Sequence, residues 1–391
     1  MNDANFIRQA MRLAQRGLGA TSPNPMVGAM LVKSGKVIGR GWHRRAGLPH
    51  AEIEALRDAQ KRGHNPRGAA LYVTLEPCCT HGRTPPCTDA IIAAGIKRVV
   101  AGATDPNPRH AGKGFKILRG AGIEVALTGS AGAPRTDTLA NECAKLNEAF
   151  NYWVVHRTPF VTVKAAMTLD GKIATAGGES KWITGEKARA HGMKLRLASD
   201  AILVGINTIL ADDPGLTARA VQSPESRVQS RKPLRRIILD SQARTPPAAK
   251  VVSDEFAALT TIVVSKSAPK DRVAALAKWV NVIVAPCRES QISNLKSQIN
   301  LRWLLKRLSV ENVTSLLVEG GGEVNASFLL GGFAQRVAFF YAPKILGGRD
   351  ARKGVAGGGA KSLREVIQLR EIEWKRLGPD LLLTARLESK L

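Results

Sequence analysis

Aromatic residues are scarce in this chain, at 5% of its 391 positions, and cysteine is scarcer still, with five in all. The first shortage predicts cores built from aliphatic side chains and alanine. The second excludes a disulfide scaffold in a chain of this length. No apolar run approaches the roughly 18 residues of a membrane span, which excludes a spanning helix. The first turns of the sequence carry Arg8 and Arg12 among their apolar positions and no hydrophobic signal core, so a cytoplasmic protein away from the membrane is expected.

Acidic residues are also in short supply: 32 against 58 lysines and arginines, a net charge of +26. Such an excess invites a nucleic-acid reading. Its distribution weakens that reading. Residues 1–150 carry a net +10 and residues 151–391 a net +16, a similar density in both parts, with no basic tail. A generally basic surface that steers anionic small molecules explains it equally well.

What is present is ordinary globular material, 44% apolar with a mean hydropathy of −0.10. At roughly 150 residues per domain the length predicts two or three domains. Residues 3–17 read as an amphipathic helix that Gly17 stops. Two strands follow at 27–33 and 36–41, with Ser34-Gly35 between them as a hairpin turn. Helices are expected at 50–62, 89–94 and 140–150, and strands at 70–75 and 99–103. The pattern restarts with a strand at 160–165, and further strands read at 201–205, 236–239, 261–264, 280–284, 315–318 and 336–342. Alternating strands and helices on both sides of a boundary near 147–157 predict two tandem α/β domains. Residues 222–232 read as a polar surface loop, and Gly357-Gly358-Gly359 as a mobile one.

The sharpest chemical signal is His50-Ala51-Glu52 followed by Pro77-Cys78 and Cys87. A catalytic zinc takes three protein ligands and keeps its fourth position for water. One imidazole and two thiolates, from His50, Cys78 and Cys87, supply that set. Glu52 suits a proton carrier that stays near the metal without binding it, the arrangement of the zinc nucleobase deaminases. Their usual pattern closes with Cys-x-x-Cys, whereas here eight residues separate the two thiols. Cys79 reads as a non-ligand and His81 as an exposed loop residue. Farther along, Glu319-Gly320-Gly321-Gly322-Glu323 follows a strand and opens a helix. Glycines there let backbone N–H groups approach a phosphate. The ordinary dinucleotide fingerprint is missing.

These segments resemble one family. Thr21-Ser22-Pro23-Asn24-Pro25, Gly41-Trp42-His43, His50-Ala51-Glu52, the long Cys78-to-Cys87 interval and Asp105-Pro106-Asn107-Pro108 are similar to the deaminase half of the bifunctional riboflavin-biosynthesis deaminase/reductases. Lys164-Ala165-Ala166-Met167-Thr168-Leu169-Asp170-Gly171, Ser180-Lys181-Trp182, Asp212-Asp213-Pro214, Asp240-Ser241, Glu319-Gly320-Gly321 and Ala342-Pro343-Lys344 resemble its reductase half. The likeness covers nearly the whole chain in the expected order. It implies a cytidine-deaminase-like three-layer α/β/α domain over residues 1–147 and a dihydrofolate-reductase-like α/β domain over 148–391.

The resemblance also implies the chemistry: zinc-dependent hydrolytic deamination of a diaminopyrimidinone ribosylamino 5′-phosphate, then NADPH-dependent reduction of the ribosyl group to ribityl. One zinc per chain falls to His50, Cys78 and Cys87, with Glu52 as general acid/base. Asn24, His43, Arg83, Asp105 and Asn107 would line the deaminase pocket, Arg83 as a phosphate partner. Ala166, Trp182, Thr208, Asp212, Ser241, Gly321, Gly322, Glu323, Val324, Asn325, Ala326 and Ser327 would hold NADPH. Lys164, Ser180, Arg196, Leu216, Arg219 and Glu319 would hold the reductase substrate, the two arginines at its phosphate. Lys164 and Asp170 are the candidate proton donors. A homo-oligomer is expected, without nucleic acid. The competing readings are an RNA-editing deaminase and a non-catalytic ligand-binding paralogue.

Overall fold

A computed structural model describes residues 2–81, 85–128, 138–218, 233–286 and 299–388. Contacts divide the chain between Arg157 and Thr158 into two compact units. The expected loop at 222–232 lies outside the described residues.

The first unit runs α1 (Asp3–Ala14), β1 (Gly28–Lys33), β2 (Lys36–Trp42), α2 (Ala51–Lys61), β3 (Ala70–Val73), α3 (Cys87–Ala93), β4 (Arg98–Ala101), α4 (Lys113–Gly120), β5 (Glu124–Leu127), α5 (Thr138–Leu146) and α6 (Glu148–His156). Its sheet has the order β2-β1-β3-β4-β5. β1 is antiparallel to β2 and β3, and β3, β4 and β5 are mutually parallel. Ser34 and Gly35 both have positive φ, the type I′ geometry that matches strand twist and fixes the hairpin register. Along β1 the side chains alternate between faces. Met30 and Val32 join Phe6 and Ile7 of α1 and Cys143 of α5 in one cluster. Ala29 and Leu31 join α2, α3 and α4 through Ala55, Ile91 and Leu118 in another. Helices on both faces of one sheet make the expected three layers.

Close packing of α2 positions the chemistry. Ala51, Ala55 and Ala59, at a four-residue spacing, are fully buried. They lie on Gly39 and Gly41 of β2, where an added Cβ would collide with the carbonyl oxygens of Ala55 and Ala51. Alanine facing glycine brings the helix onto the strand and fixes the height of its N-terminus.

The second unit runs β6 (Phe160–Thr168), β7 (Lys172–Ala174), α7 (Glu186–Leu197), β8 (Ala201–Gly205), α8 (Ile206–Asp212), β9 (Arg235–Leu239), α9 (Lys250–Ser253), β10 (Thr260–Val264), α10 (Lys270–Ala277), β11 (Asn281–Val284), α11 (Leu301–Val310), β12 (Ser315–Val318), α12 (Gly322–Leu330), β13 (Arg336–Ala342), β14 (Arg352–Lys353), β15 (Leu369–Leu377) and β16 (Asp380–Leu387). A nine-stranded sheet orders them β11-β10-β9-β8-β12-β6-β13-β16-β15, with β7 and β14 paired separately. The strands from β11 to β13 are parallel, and β16 and β15 close one side antiparallel. Ala201 and Leu203 of β8 face α11 and α12, while Ile202 and Val204 face α8, α9 and α10. Burial on both sides explains the unbroken apolar run of that strand.

Several elements differ from expectation. The helix expected at 140–150 is two helices, because Asn147 leaves helical geometry (φ −115°, ψ 27°). α3 begins at Cys87 rather than at residue 89. α4 and β5 are short and bounded by glycines, which hid them. The hairpin of β15 and β16 also escaped notice, because β15 is exposed over most of its length and its charged residues mask the strand pattern. The segment just before the glycine run at 357–359 is bonded to α12: Ala356 N donates to Gly322 O and Asn325 Nδ2 to Gly354 O.

Candidate active sites

In the first unit three segments meet. His50 caps α2 in extended conformation, Cys78 follows β3, and Cys87 opens α3. His50 Nδ1 lies 3.4 Å from each of the two sulfurs, and Cys87 N donates to Cys78 Sγ at 3.3 Å. All three candidate ligand atoms fall within 4.8 Å of one another. Cys79 stands outside this cluster, as expected. Protons are shared unevenly here. The Cys78 thiol is pulled down to about 4, chiefly by its hydrogen bond with Cys87, and its bond to His50 raises the imidazole. The bond with Cys78 and then burial push the Cys87 thiol far up. Two thiols packed this closely beside a neutral imidazole can both ionise only around a compensating cation, and the donor set is that of a three-ligand zinc.

Glu52 sits 3% exposed beside this cluster. Burial, then the charge of Cys78, pushes its carboxyl up to about 7. A carboxyl poised near neutrality can both take and return a proton. His43 is 2% exposed, and its ring meets the His50 ring edge-on at 5.2 Å. Nδ1–H donates to Pro49 O at 3.1 Å, which leaves Nε2 to accept from Asn24 Nδ2 at 3.2 Å. Burial lowers its pKa, so the ring is neutral and this tautomer is fixed. Asp105 is partly buried, which raises its pKa, and its Oδ1 accepts from Asn107 N at 2.8 Å. Arg83 lies outside the described residues.

Two residues that the sequence reading missed hold this pocket. The buried Glu76 carboxylate accepts backbone N–H bonds from Asp105 (3.2 Å), Gly112 (2.9 Å), Gly114 (2.9 Å) and Phe115 (3.4 Å). Asn147 bonds both polar atoms of Met26, accepting from its N at 2.7 Å and donating to its O at 2.8 Å. Glu76 had a signal, its place beside Pro77-Cys78. Asn147 had none, since its partner is 121 residues away.

In the second unit the carried-over residues gather at the C-terminal edge of the parallel strands, where such sheets bind ligands. Lys164 and Ala166 share one face of β6. Glu319 follows β12, and its carboxylate takes both Nε and Nη2 of Arg196 at 2.9 Å, with Lys164 Nζ at 3.5 Å. Despite burial, Lys164 and then Arg196 hold the Glu319 carboxyl down to about 2. Arg196 Nη1 donates to Thr217 O at 3.0 Å. Its fork is thus engaged by Glu319 and Thr217, and it fixes the Glu319 carboxylate. Asp212 accepts from Ser180 Oγ at 3.3 Å, so one residue from each expected ligand set meets the other.

Trp182 is 66% exposed, stacked under Arg189 at 4.6 Å, with its carbonyl accepting from Lys344 Nζ at 3.0 Å. Ser241 follows β9 next to the buried Asp240, whose Oδ2 accepts from Thr245 N and Oγ1 at 2.7 Å each. Thr208 is half-buried on α8. Gly321 caps α12 and faces open space. Val324 packs against the core, Asn325 and Ala326 are fully buried, and Ser327 Oγ donates back to Glu323 O. From this stretch Gly321 alone opens onto free space, since Gly322 packs against Lys353 and Ala356, and its place at the N-terminus of α12 fits a phosphate.

Two further expectations shift. Leu216 is 3% exposed with its side chain in the core, so its backbone alone can meet a ligand. Asp170 accepts from the Thr168 hydroxyl and from Leu346 and Gly347 N–H, which hold its carboxyl down to about 2. It stays ionised and turns the chain, and Lys164 remains as the candidate proton donor. Arg219 lies outside the described residues.

Comparisons with known proteins match both units. Residues 1–103 match the model of the cytidine and deoxycytidylate deaminase zinc-binding region, and residues 159–383 that of the RibD C-terminal domain. The riboflavin biosynthesis protein RibD of Aquifex aeolicus is 42% identical over 383 residues, covering 97% of each chain. That of Escherichia coli is 37% identical over 389 residues, covering 98% of this chain and 99% of its own. Among solved structures, Acinetobacter baumannii RibD superposes with a TM-score of 0.81 at 35% identity, covering 99% of both chains. The Thermotoga maritima diaminohydroxyphosphoribosylaminopyrimidine deaminase/5-amino-6-(5-phosphoribosylamino)uracil reductase does so with a TM-score of 0.77 at 35% identity, again over 99% of both.

Proposed function

The chain belongs to the RibD family of riboflavin-biosynthesis enzymes, and from that membership we propose which of its side chains carry each of two reactions. It is a bifunctional enzyme, a zinc-dependent deaminase joined to an NADPH-dependent reductase. A cytidine-deaminase-like domain precedes a dihydrofolate-reductase-like domain. Neither an RNA-editing deaminase nor a non-catalytic paralogue is favoured by relatives that match from end to end. We place the functional boundary between residues 147 and 157, with deaminase residues 1–147 and reductase residues 148–391.

His50, Cys78 and Cys87 would hold zinc, and the single observation that carries this is their convergence beside a buried Glu52. Bound zinc makes a water nucleophilic near neutral pH. Glu52 takes the proton released as water adds to the amine-bearing ring carbon. It returns that proton to the amine, which leaves as ammonia when the C–N bond breaks. His43, in its fixed neutral tautomer, and Asn24 orient the pyrimidine. Asp105, Asn107 and Arg83 would hold its ribose phosphate.

In the reductase, NADPH supplies a hydride to the sugar carbon. The α12 N-terminus at Gly321, Gly322 and Glu323 would take a cofactor phosphate, with Trp182, Thr208, Asp212, Ser241 and Ala166 around the remainder. Glu319, fixed by Arg196, would accept bonds from the sugar hydroxyls, and Lys164 would donate the proton that balances the hydride. Ser180, Arg219 and the Leu216 backbone complete that pocket. We further propose a homo-oligomer acting in the cytoplasm without a nucleic-acid partner, a reading supported by thiol ligands that need a reducing compartment.

A mass-resolved assay of the purified protein with the diaminopyrimidine ribosyl phosphate tests the assignment. Without NADPH the substrate gains about one mass unit as nitrogen gives way to oxygen, and with it about two more. Absence of the first change in zinc-loaded protein would overturn the deaminase reading.

A further inference from the structure

A polar groove lies in the first unit, on the open edge of its sheet. It has a volume of about 700 Å³ between α1, β2 and α2, and seven arginine and lysine side chains line it against two carboxylates. Neither reaction assigned above uses any of them. Glu54 serves both Arg44 (3.1 Å) and Arg57 (3.5 Å), and Asp58 pairs with Arg62 (3.0 Å). Among the described residues no carboxylate is paired with Arg12, Arg16, Arg40 or Lys61, and all four are exposed. The groove thus holds five more positive charges than negative ones in a space of ordinary ligand size.

Its aromatic floor is already spoken for. Trp42 carries the Arg16 guanidinium 5.1 Å from its ring centroid and that of Arg44 at 4.4 Å. This stacking orients two cations rather than leaving a ring face for a base. Asp58 Oδ2 accepts from Arg40 N at 2.8 Å, so a side chain occupies the strand edge at that point and blocks pairing by another strand. A second copy of this chain is a poor occupant, since a two-fold contact would set cations against cations. Several forked donors converging without matching carboxylates instead suit phosphate oxygens.

We propose that this groove is a binding site for a small oligophosphate, a ligand with two or more linked phosphate groups, distinct from the deaminase pocket. The elements that line it also carry the catalytic groups. His43 follows Trp42 directly, and Glu54 N donates to the carbonyl of His50 at 3.0 Å.

The test is calorimetric titration of the zinc-loaded full chain with tripolyphosphate and, separately, orthophosphate at about 0.1 M salt, where charges more than about 10 Å apart are screened. The expected result is one saturable tripolyphosphate site per chain, with orthophosphate far weaker. Arg16→Glu/Arg40→Glu should weaken it at least about tenfold, whereas Lys278→Glu/Arg364→Glu, an equal charge change on the second unit, should leave it within about twofold. Both variants should retain zinc and the reductase reaction. Absence of saturable binding, equal loss in both variants, or preference for orthophosphate would overturn the proposal. So would tighter binding of an RNA oligomer through the same arginines with a steep salt dependence, which would make the groove a nucleic-acid surface.

Discussion

Arg196 and Glu319, 123 residues apart, lock together through two parallel hydrogen bonds of 2.9 Å, and Lys164 joins the same carboxylate at 3.5 Å. A carboxyl held at about 2 in the folded protein against an ordinary value of 4.5 stabilises the fold where it is ionised in both states. That contribution is complete above about pH 4.5 and is lost as pH falls toward about 2. Hydrogen-exchange protection at β6 and β12, relative to the intrinsic rate at each pH, should therefore fall as pH drops through this window. Glu319→Gln should lose protection already at neutral pH, by about 3–5 kcal/mol if both cations stay buried without their partner. Equal protection in wild type and variant at pH 7 would remove the pair from this role.

Glu52→Gln should keep stoichiometric zinc, because the three clustered ligand atoms are untouched, yet deamination should fall by about 10²–10⁴-fold. Elemental analysis beside a rate measurement decides it. Loss of the metal in this variant would make Glu52 a ligand instead.

Cys87→Ser, or removal of zinc by a chelator, should abolish deamination and spare reduction of supplied 5-amino-6-(5-phosphoribosylamino)uracil, since the reductase residues all lie beyond Thr158. The comparison is one steady-state assay of each half-reaction. Failure of both reactions in a folded variant would show the two units to be chemically dependent.

Asn147→Ala removes two bonds to Met26, at about 0.5–1.5 kcal/mol each. The expected kinetic signature is a raised deaminase KM with a smaller change in kcat, because the segment released carries Asn24. An unchanged KM would mean that the segment does not touch substrate.

Most of the candidate zinc cluster was legible in the sequence because its chemistry is local. His50 and Glu52 are two residues apart, and Cys78 and Cys87 stand beside prolines in one short stretch. What supports the site was scarcely legible. Glu76 had only its place beside Pro77-Cys78 to mark it, its N–H partners appearing when the chain folds back, and Asn147 looks like part of a continuous helix. The candidate reductase residues came from resemblance, which said nothing of how they pair. Arg196 reads as a phosphate ligand in isolation, and its carboxylate partner appears only when α7 and β12 are brought together. In the fold, strands buried on both faces were read well, whereas β15, exposed and charged, was not. Hydrophobic pattern reports burial, and hydrogen-bonded edges leave little of it.

Glu76 has a consequence for how a ligand is met. Four backbone N–H groups between Asp105 and Phe115 converge on its carboxylate, so the segment carrying Asp105 and Asn107 owes its order to an anion already present in the protein. Conformational entropy is given up there during folding, before any substrate arrives. With that segment lining the pocket as proposed, association need not immobilise it, and more of the contact energy remains for discriminating one pyrimidine from another.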